Sequence, residues 1–345
     1  MLVKQHYGDP MIEQRKLSEG EALCLLDTQG VISVSGTDRL TWLHSLLSQN
    51  IKNLTPGEST EALLLDPQGR IEQIIKVIED GQITWLLVDQ ANTEALLGWL
   101  QKMVFRMKVE ITDQSAKFAT VGATKEFSEI SFVSSGHPLI WKDNWPGVVG
   151  GGYRYSSRSV NHSWFEHLVE VSRLDEVLAG KSMAGTMAAD GLRVAAGRPK
   201  ALNEVDEKSL PHELDLLSTA VHLSKGCYRG QESVAKVHNL GHPPRRLTFL
   251  HLDGSEHALP DVGDEIRVLG EDKTRGKITS VAQHFDMGPI ALAVISRSVP
   301  EDAELEVVGK NGSIAATQEV IVPQSAGSVA NIPKLPKLNL GAKGK

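Results

Sequence analysis

The sequence predicts an α+β fold that ends in a separate small β-barrel or sandwich, and three observations carry the prediction. Apolar runs of strand length alternate with runs of helical period over the first ~120 residues. After "HPPRR" at 242–246 the texture changes to short strands divided by Gly, Asp or Pro, with no helical run. The 345 residues are 41% hydrophobic, an ordinary globular composition with room for about two to three domains and a large core.

Residues 21–36, "EALCLLDTQGVISVSG", read as two short apolar strands around a turn at Asp27 to Gly30, with Cys24 a buried small hydrophobe. In "TDRLTWLHSLLSQNI", Leu40, Leu43, Leu47 and Ile51 recur at helical spacing behind Thr37, a good N-cap. Residues 61–88 hold three strand-like runs divided by "DPQG" and "EDG", both turn signals, so a meander is expected. "NTEALLGWLQKMVFRM" returns to the helical period, and "KVEITD" to strand. Weaker signals between 118 and 170 suggest short strands and a loop, and a helix is expected from about Ser163 to Leu178. The "GGG" of "GVVGGGYRY" lacks the lysine and following helix of a phosphate-binding loop.

These readings divide the chain into an N-terminal extension (1–20), an α+β region of two subdomains (21–241), a β-barrel (242–322) and a mobile tail (323–345) rich in Pro, Gly and Lys. Two cysteines cannot build a disulfide framework or a four-thiolate metal site, which points to a reducing cytoplasm. No run has the length or apolarity of a signal peptide or membrane helix, so no membrane association is expected. A net charge of −7 offers no general attraction for nucleic acid, and no such partner is expected.

The segment "KGCYRGQE", 225–232, carries the other thiol. Alternation on an extended segment would put Lys225, Cys227 and Arg229 on one face, and "GQESVAKVHN" can form a helix starting near Gly230. Cations and a helix N-terminus would favour the thiolate, while Gly226 and Gly230 permit close approach of a ligand or partner. The competing reading is a cysteine packed in a strand-to-helix corner with both cations in water; composition does not choose between them. Cys227, His238 and His242 have zinc-like spacing, but Gly241, Pro243 and Pro244 break the helix that would align them, so no metal is expected. No histidine, His212 and His222 included, has the context of a general base for a cysteine hydrolase.

The motif as a whole resembles the Lys-Gly-Cys-Tyr-x-Gly-Gln-Glu signature of YgfZ-type folate-binding proteins, a branch of the glycine-cleavage T-protein (aminomethyltransferase) superfamily. "ALLLDPQGRI", "GLRVAAGRP", "LPHELDL" and "GKITSVAQHFDMGPIALAVI" are similar to further family segments, so that the resemblance spans roughly residues 20–310. It implies three subdomains around a central channel that accepts tetrahydrofolate, the last being the small barrel. It also implies a role in assembly or repair of iron–sulfur proteins, with radical-SAM enzymes or assembly proteins as partners. Cys227 would be the reactive residue; Lys225, Gly226, Tyr228, Gly230, Gln231, Glu232, Arg193 and Glu72 would form the folate side of the site. The family's pterin-gripping glutamate has no counterpart in "WPGVVGGGYRY", and the glutamate of its "LRxEAG" segment is Ala195 here, which argues against glycine cleavage and for weaker or reoriented folate binding. Folate-dependent aminomethyl or methyl transfer, or demethylation, with Glu72 as acid or base, remains the alternative.

Overall fold

The computed structural model describes residues 2–26, 29–255, 259–310 and 312–330. In chain order the elements begin with α1 (Pro10–Ser18), β1 (Leu23–Leu26), β2 (Gln29–Ser35), α2 (Arg39–Leu46), β3 (Ser59–Leu65), β4 (Ile71–Glu79), β5 (Ile83–Asp89) and α3 (Gln90–Lys102). There follow β6 (Glu110–Asp113), β7 (Phe118–Ala123), β8 (Val133–Ser134), β9 (His137–Pro138), β10 (Ile140–Lys142), β11 (Phe165–Glu170), α4 (Leu174–Leu178), β12 (Met183–Ala184), α5 (Thr186–Ala195), α6 (Ala201–Glu204) and α7 (Gln231–Leu240). The last part is all strand: β13 (Arg245–Leu252), β14 (Glu265–Val268), β15 (Thr274–His284), β16 (Gly288–Ser296), β17 (Leu305–Gly309) and β18 (Gly312–Val320).

The strands form two five-stranded sheets, β10-β11-β7-β1-β12 and β3-β4-β5-β2-β6, a small β8-β9 hairpin and a closed barrel, β13-β16-β15-β14-β17-β18. The α+β class and the terminal barrel therefore hold. Strands β1 and β2 do not pair with each other as neighbours around a turn. Leu23 and Cys24 of β1 lie parallel to β12, whereas β2 runs antiparallel between β5 and β6. Asp27 and Thr28, the start of the expected turn, lie outside the described residues. Cys24 is fully buried.

Three other expectations are corrected. Helix α2 starts at Arg39 with Asp38, and not Thr37, as its N-cap, and its last expected apolar position, Ile51, belongs to a 3-10 turn. The stretch from Phe165 to Glu170 is an inner strand, paired to both β7 and β10, and only Leu174–Leu178 is α-helical. Its side chains are buried on both faces, so it lacks the alternation that marks a half-exposed strand. Residues 323–330, read as tail, pack back onto α7: Val329 N donates to His238 O and His242 Nδ1 lies 2.8 Å from Ala326 O. The rest of the expected tail, 331–345, lies outside the described residues.

The N-terminal segment is an integral layer. Asp9 caps α1 through Met11 N and Ile12 N, and Leu17 is fully buried. The Glu13 carboxylate accepts from Tyr7 N and Gly185 N, and Gln14 bridges to Gln283 O and Phe285 N beside the barrel.

Candidate functional site

A cavity of about 970 Å³ opens between the two sheets, with α5 and the segment 198–201 along one side. Trp141 and Trp164 form aromatic walls, and the remaining lining is rich in charge: Lys76 from β4, Asp89 from β5, Glu166 from β11, Asp190 and Arg193 from α5, then Arg198. The barrel does not line it. It is tied on from behind, where Arg193 Nη2 donates to Ser280 Oγ of β15 at 2.9 Å.

Glu166, Asp143 and Arg198 in this cavity each have named partners. Glu166 accepts from Lys76 Nζ at 2.6 Å, Gln29 Nε2 at 2.9 Å and Trp164 Nε1 at 3.1 Å. Arg198 is clamped between Asp143, at 3.0 Å, and Glu61. Burial alone would push the Asp143 carboxyl up, but Arg198 and then His162 outweigh it and hold the group well below the usual carboxylate range. Asp89 goes the other way: burial raises it above an ordinary aspartate, with Lys76 only partly compensating.

Two buried polar atoms of the lining lack any partner, Gln29 Oε1 and Arg198 Nη1. One is an acceptor and the other a donor. Buried polar groups in folded proteins are nearly always satisfied, so this pair is open to hydrogen bonds from a ligand or from water in the cavity. The donor set suits a flat heterocycle with both donors and acceptors on its edge, flanked by tryptophan.

The signature segment lies elsewhere. Cys227 is exposed, in the loop that leads into α7. Lys225 does not share its surroundings: the ammonium is buried and donates to the carbonyls of His44, Leu47 and Gln49 at the end of α2, and burial pushes it down to about 8. Arg229 pairs with Glu72 at 2.8 Å and lies 5.9 Å from the Trp99 ring centroid. The expectation that both cations attend the sulfur is therefore corrected. Each anchors the loop to a different element, because a desolvated ammonium needs carbonyl acceptors and an exposed guanidinium finds a carboxylate.

The other motif residues hold this loop in shape. Tyr228 is buried beneath the Lys225 ammonium, 5.1 Å from its ring centroid, and burial pushes its phenol up to about 12. Gly230 has φ +82, and a Cβ there would stand 2.5 Å from Asp66 O in the β3–β4 turn, so glycine is required. Gln231 Nε2 donates to Lys225 O at 3.1 Å. Gly226 and Glu232 are exposed. Of the residues singled out by sequence, only Arg193 lines the cavity. Glu72 does not line it: it is exposed on β4, at the shift in register with β3, two residues before the cavity wall Ile74. Through Arg229, the Cys227 loop is fastened to β4.

Sequence reasoning missed Gln29, Glu61, Lys76, Asp89, Asp143, Glu166 and Arg198. A usable signal existed: Glu166 in "WFEHLV", Lys76 in "IIKVI" and Glu61 in "TEALLL" each interrupt an apolar strand. A charge inside a buried strand must have a partner there. The cavity therefore holds carboxylates that no recognisable motif announces.

No protein-family model matches the chain. A solved aminomethyltransferase T of the glycine cleavage system from Bartonella henselae matches with TM-score 0.70 and 18% identity, over 91% of this chain and 89% of that one. That likeness fixes the fold. In sequence, the chain is 25% identical to the tRNA-modifying protein YgfZ of Edwardsiella ictaluri, over 83% of this chain and 87% of the relative. It is 27% identical to a mitochondrial iron-sulfur cluster assembly factor IBA57 homolog of Mycosarcoma maydis, over 68% of this chain. The chain spans only 58% to 63% of the length of the curated relatives that head the comparison. In sequence the chain is similar to YgfZ-type proteins and aminomethyltransferases, and in fold to an aminomethyltransferase.

Proposed function

We propose that this protein binds tetrahydrofolate in the central cavity and assists the assembly or repair of iron–sulfur proteins through Cys227. The observation that carries the folate half is the unsatisfied pair, Gln29 Oε1 and Arg198 Nη1, between two tryptophan walls. A pterin offers both donors and acceptors on one plane, which these atoms and Asp89 would meet. Bound tetrahydrofolate would supply one-carbon or redox chemistry. The iron–sulfur half draws on the names of the YgfZ and assembly-factor relatives and on the exposed thiol of Cys227. One thiol can donate a single ligand to a shared cluster or open a mixed disulfide, so an iron–sulfur partner protein is part of the reading.

Titration with tetrahydrofolate should quench the emission of Trp141 and Trp164, and Gln29→Ala should weaken that binding about tenfold, the cost of roughly one hydrogen bond in a closed site. In a host lacking its own copy, Cys227→Ala should lower the activity of four-iron enzymes while leaving tetrahydrofolate binding intact. Full activity of those enzymes with Cys227→Ala defeats the assembly role. The transfer reading finds its acid or base in Asp89, which burial shifts toward neutrality, and not in Glu72, which Arg229 occupies at the surface. Formation of methylene-tetrahydrofolate from an N-methyl or aminomethyl donor would decide for it.

A further inference from the structure

A groove of about 1080 Å³ opens at the surface between α2 and the segment 103–107 that follows α3. Trp42, Ser45 and Leu46 line it at i, i+3 and i+4, one face of α2, and Met103 and Met107 line it from the other side. Trp42 Nε1 donates to Met103 O at 2.9 Å, so the two walls are tied together and the groove is preformed. The lining also includes Phe105, whose side chain is 84% exposed. Met107 N donates to Val104 O at 2.9 Å, which makes Phe105 the first central residue of a turn, and its φ is 45°. Glycine, asparagine or aspartate ordinarily fills such a left-handed position; a phenylalanine there strains the backbone and holds a large apolar surface in water. Neither feature stabilises the fold, and strain combined with apolar exposure is found where a protein meets a partner.

The charge around the groove narrows the partner. Its lining includes Arg106 and, among the described residues, no carboxylate. Lys102 and Lys108, exposed like Arg106, flank it in sequence, and none of the three has an ion pair among the described residues. The Asp38 carboxylate, just ahead of α2, is taken up by Lys108 N at 2.8 Å. In a chain of net charge −7 this is a local reversal of sign. The loop that bears Cys227 is fastened to both helices beside the groove, to α2 through Lys225 and His44 O, and to α3 through Arg229, 5.9 Å from the Trp99 ring centroid. We propose that the groove docks an acidic amphipathic helix of a partner protein. Its leucine or aromatic anchors fill the space between Trp42, Leu46 and the methionines, and its carboxylates meet Lys102, Arg106 and Lys108. Methionine side chains adapt to varied apolar anchors, and an i, i+3, i+4 stripe accepts a helix laid along it. The choice of a protein over a lipid surface rests on the thiol reading above, because the groove and the Cys227 loop share their supporting helices.

The test uses a fluorescent synthetic helix of about eighteen residues, leucine on one face and glutamate on the other, with glutamine and lysine versions as controls. The wild-type protein should bind the acidic peptide, and the glutamine version roughly fivefold more weakly, a difference that fades as salt rises. Arg106→Gln and Lys102→Gln should each weaken binding of the acidic peptide about twofold to threefold. Phe105→Gly should weaken it at least about tenfold and yet unfold at no lower denaturant concentration, because glycine relieves the left-handed backbone. A merely structural phenylalanine would lose stability and binding together. No binding of the acidic peptide, equal binding of the acidic and lysine versions, or undiminished binding by Phe105→Gly overturns the proposal. So does a Phe105→Gly protein that unfolds at markedly lower denaturant, which would give the ring a packing role. Sedimentation with phosphatidylglycerol vesicles that Phe105→Gly abolishes, without peptide binding, assigns the loop to a membrane surface; a dimer in ultracentrifugation that Phe105→Gly dissociates assigns it to a second copy. Either result overturns the proposal. The peptide assay makes no use of the thiol, so failure of the groove and failure of the Cys227 role are told apart.

Discussion

The central cavity and the Cys227 loop solve opposite problems with the same kinds of residue. In the cavity, Arg198 and Lys76 hold carboxylates between two sheets, where burial makes every unpaired charge expensive. In the loop, Lys225 and Arg229 hold the backbone after α2 and strand β4 so that one small side chain stays in water. The cations of the signature are thus architectural toward the sulfur, and the groups fit to touch a ligand come from eight separate stretches of chain. A short motif can mark a functional protein without containing its binding residues.

The contrast yields graded tests. Arg198→Met should have the largest effect on stability, about 3–5 kcal/mol, because it strands Glu61 and Asp143 as buried charges; denaturant unfolding measures it, and a loss under 1 kcal/mol would mean water reaches the clamp. Gly230→Ala should cost about 2 kcal/mol, from the left-handed backbone and the approach of Asp66 O. It should also change the rate at which Cys227 reacts with a maleimide, since the loop leans on the β3–β4 turn. Glu72→Gln should change stability by less than about 1 kcal/mol, as expected for a half-exposed ion pair. A larger loss would show that β4 and the loop are one cooperative unit instead of two.

Legibility followed the same division. The signature, the meander and the barrel strands could be read because they depend on residues near one another in sequence, as Gly230 does on its own backbone conformation. The destination of Lys225 could not, for its three carbonyl acceptors lie in the 44–49 segment, far back in the chain. Strand β11 resembles a helix in sequence because an inner strand covered on both faces shows no alternation. Strands β1 and β2 were read as neighbours because apolar runs specify burial but not which sheet receives them. The cavity stayed invisible for a related reason. A lone charge in an apolar strand announces that it has a partner, but only the crossing of two sheets says which.

The Lys225 anchor has a dynamic corollary. Freeing the segment that bears the sulfur would require stripping an ammonium of three carbonyl contacts inside the protein, so that segment cannot fray by itself like an ordinary surface connection. Its amide hydrogens near position 225 should exchange in step with those closing α2, and the thiol would be offered to solvent from a rigid ledge.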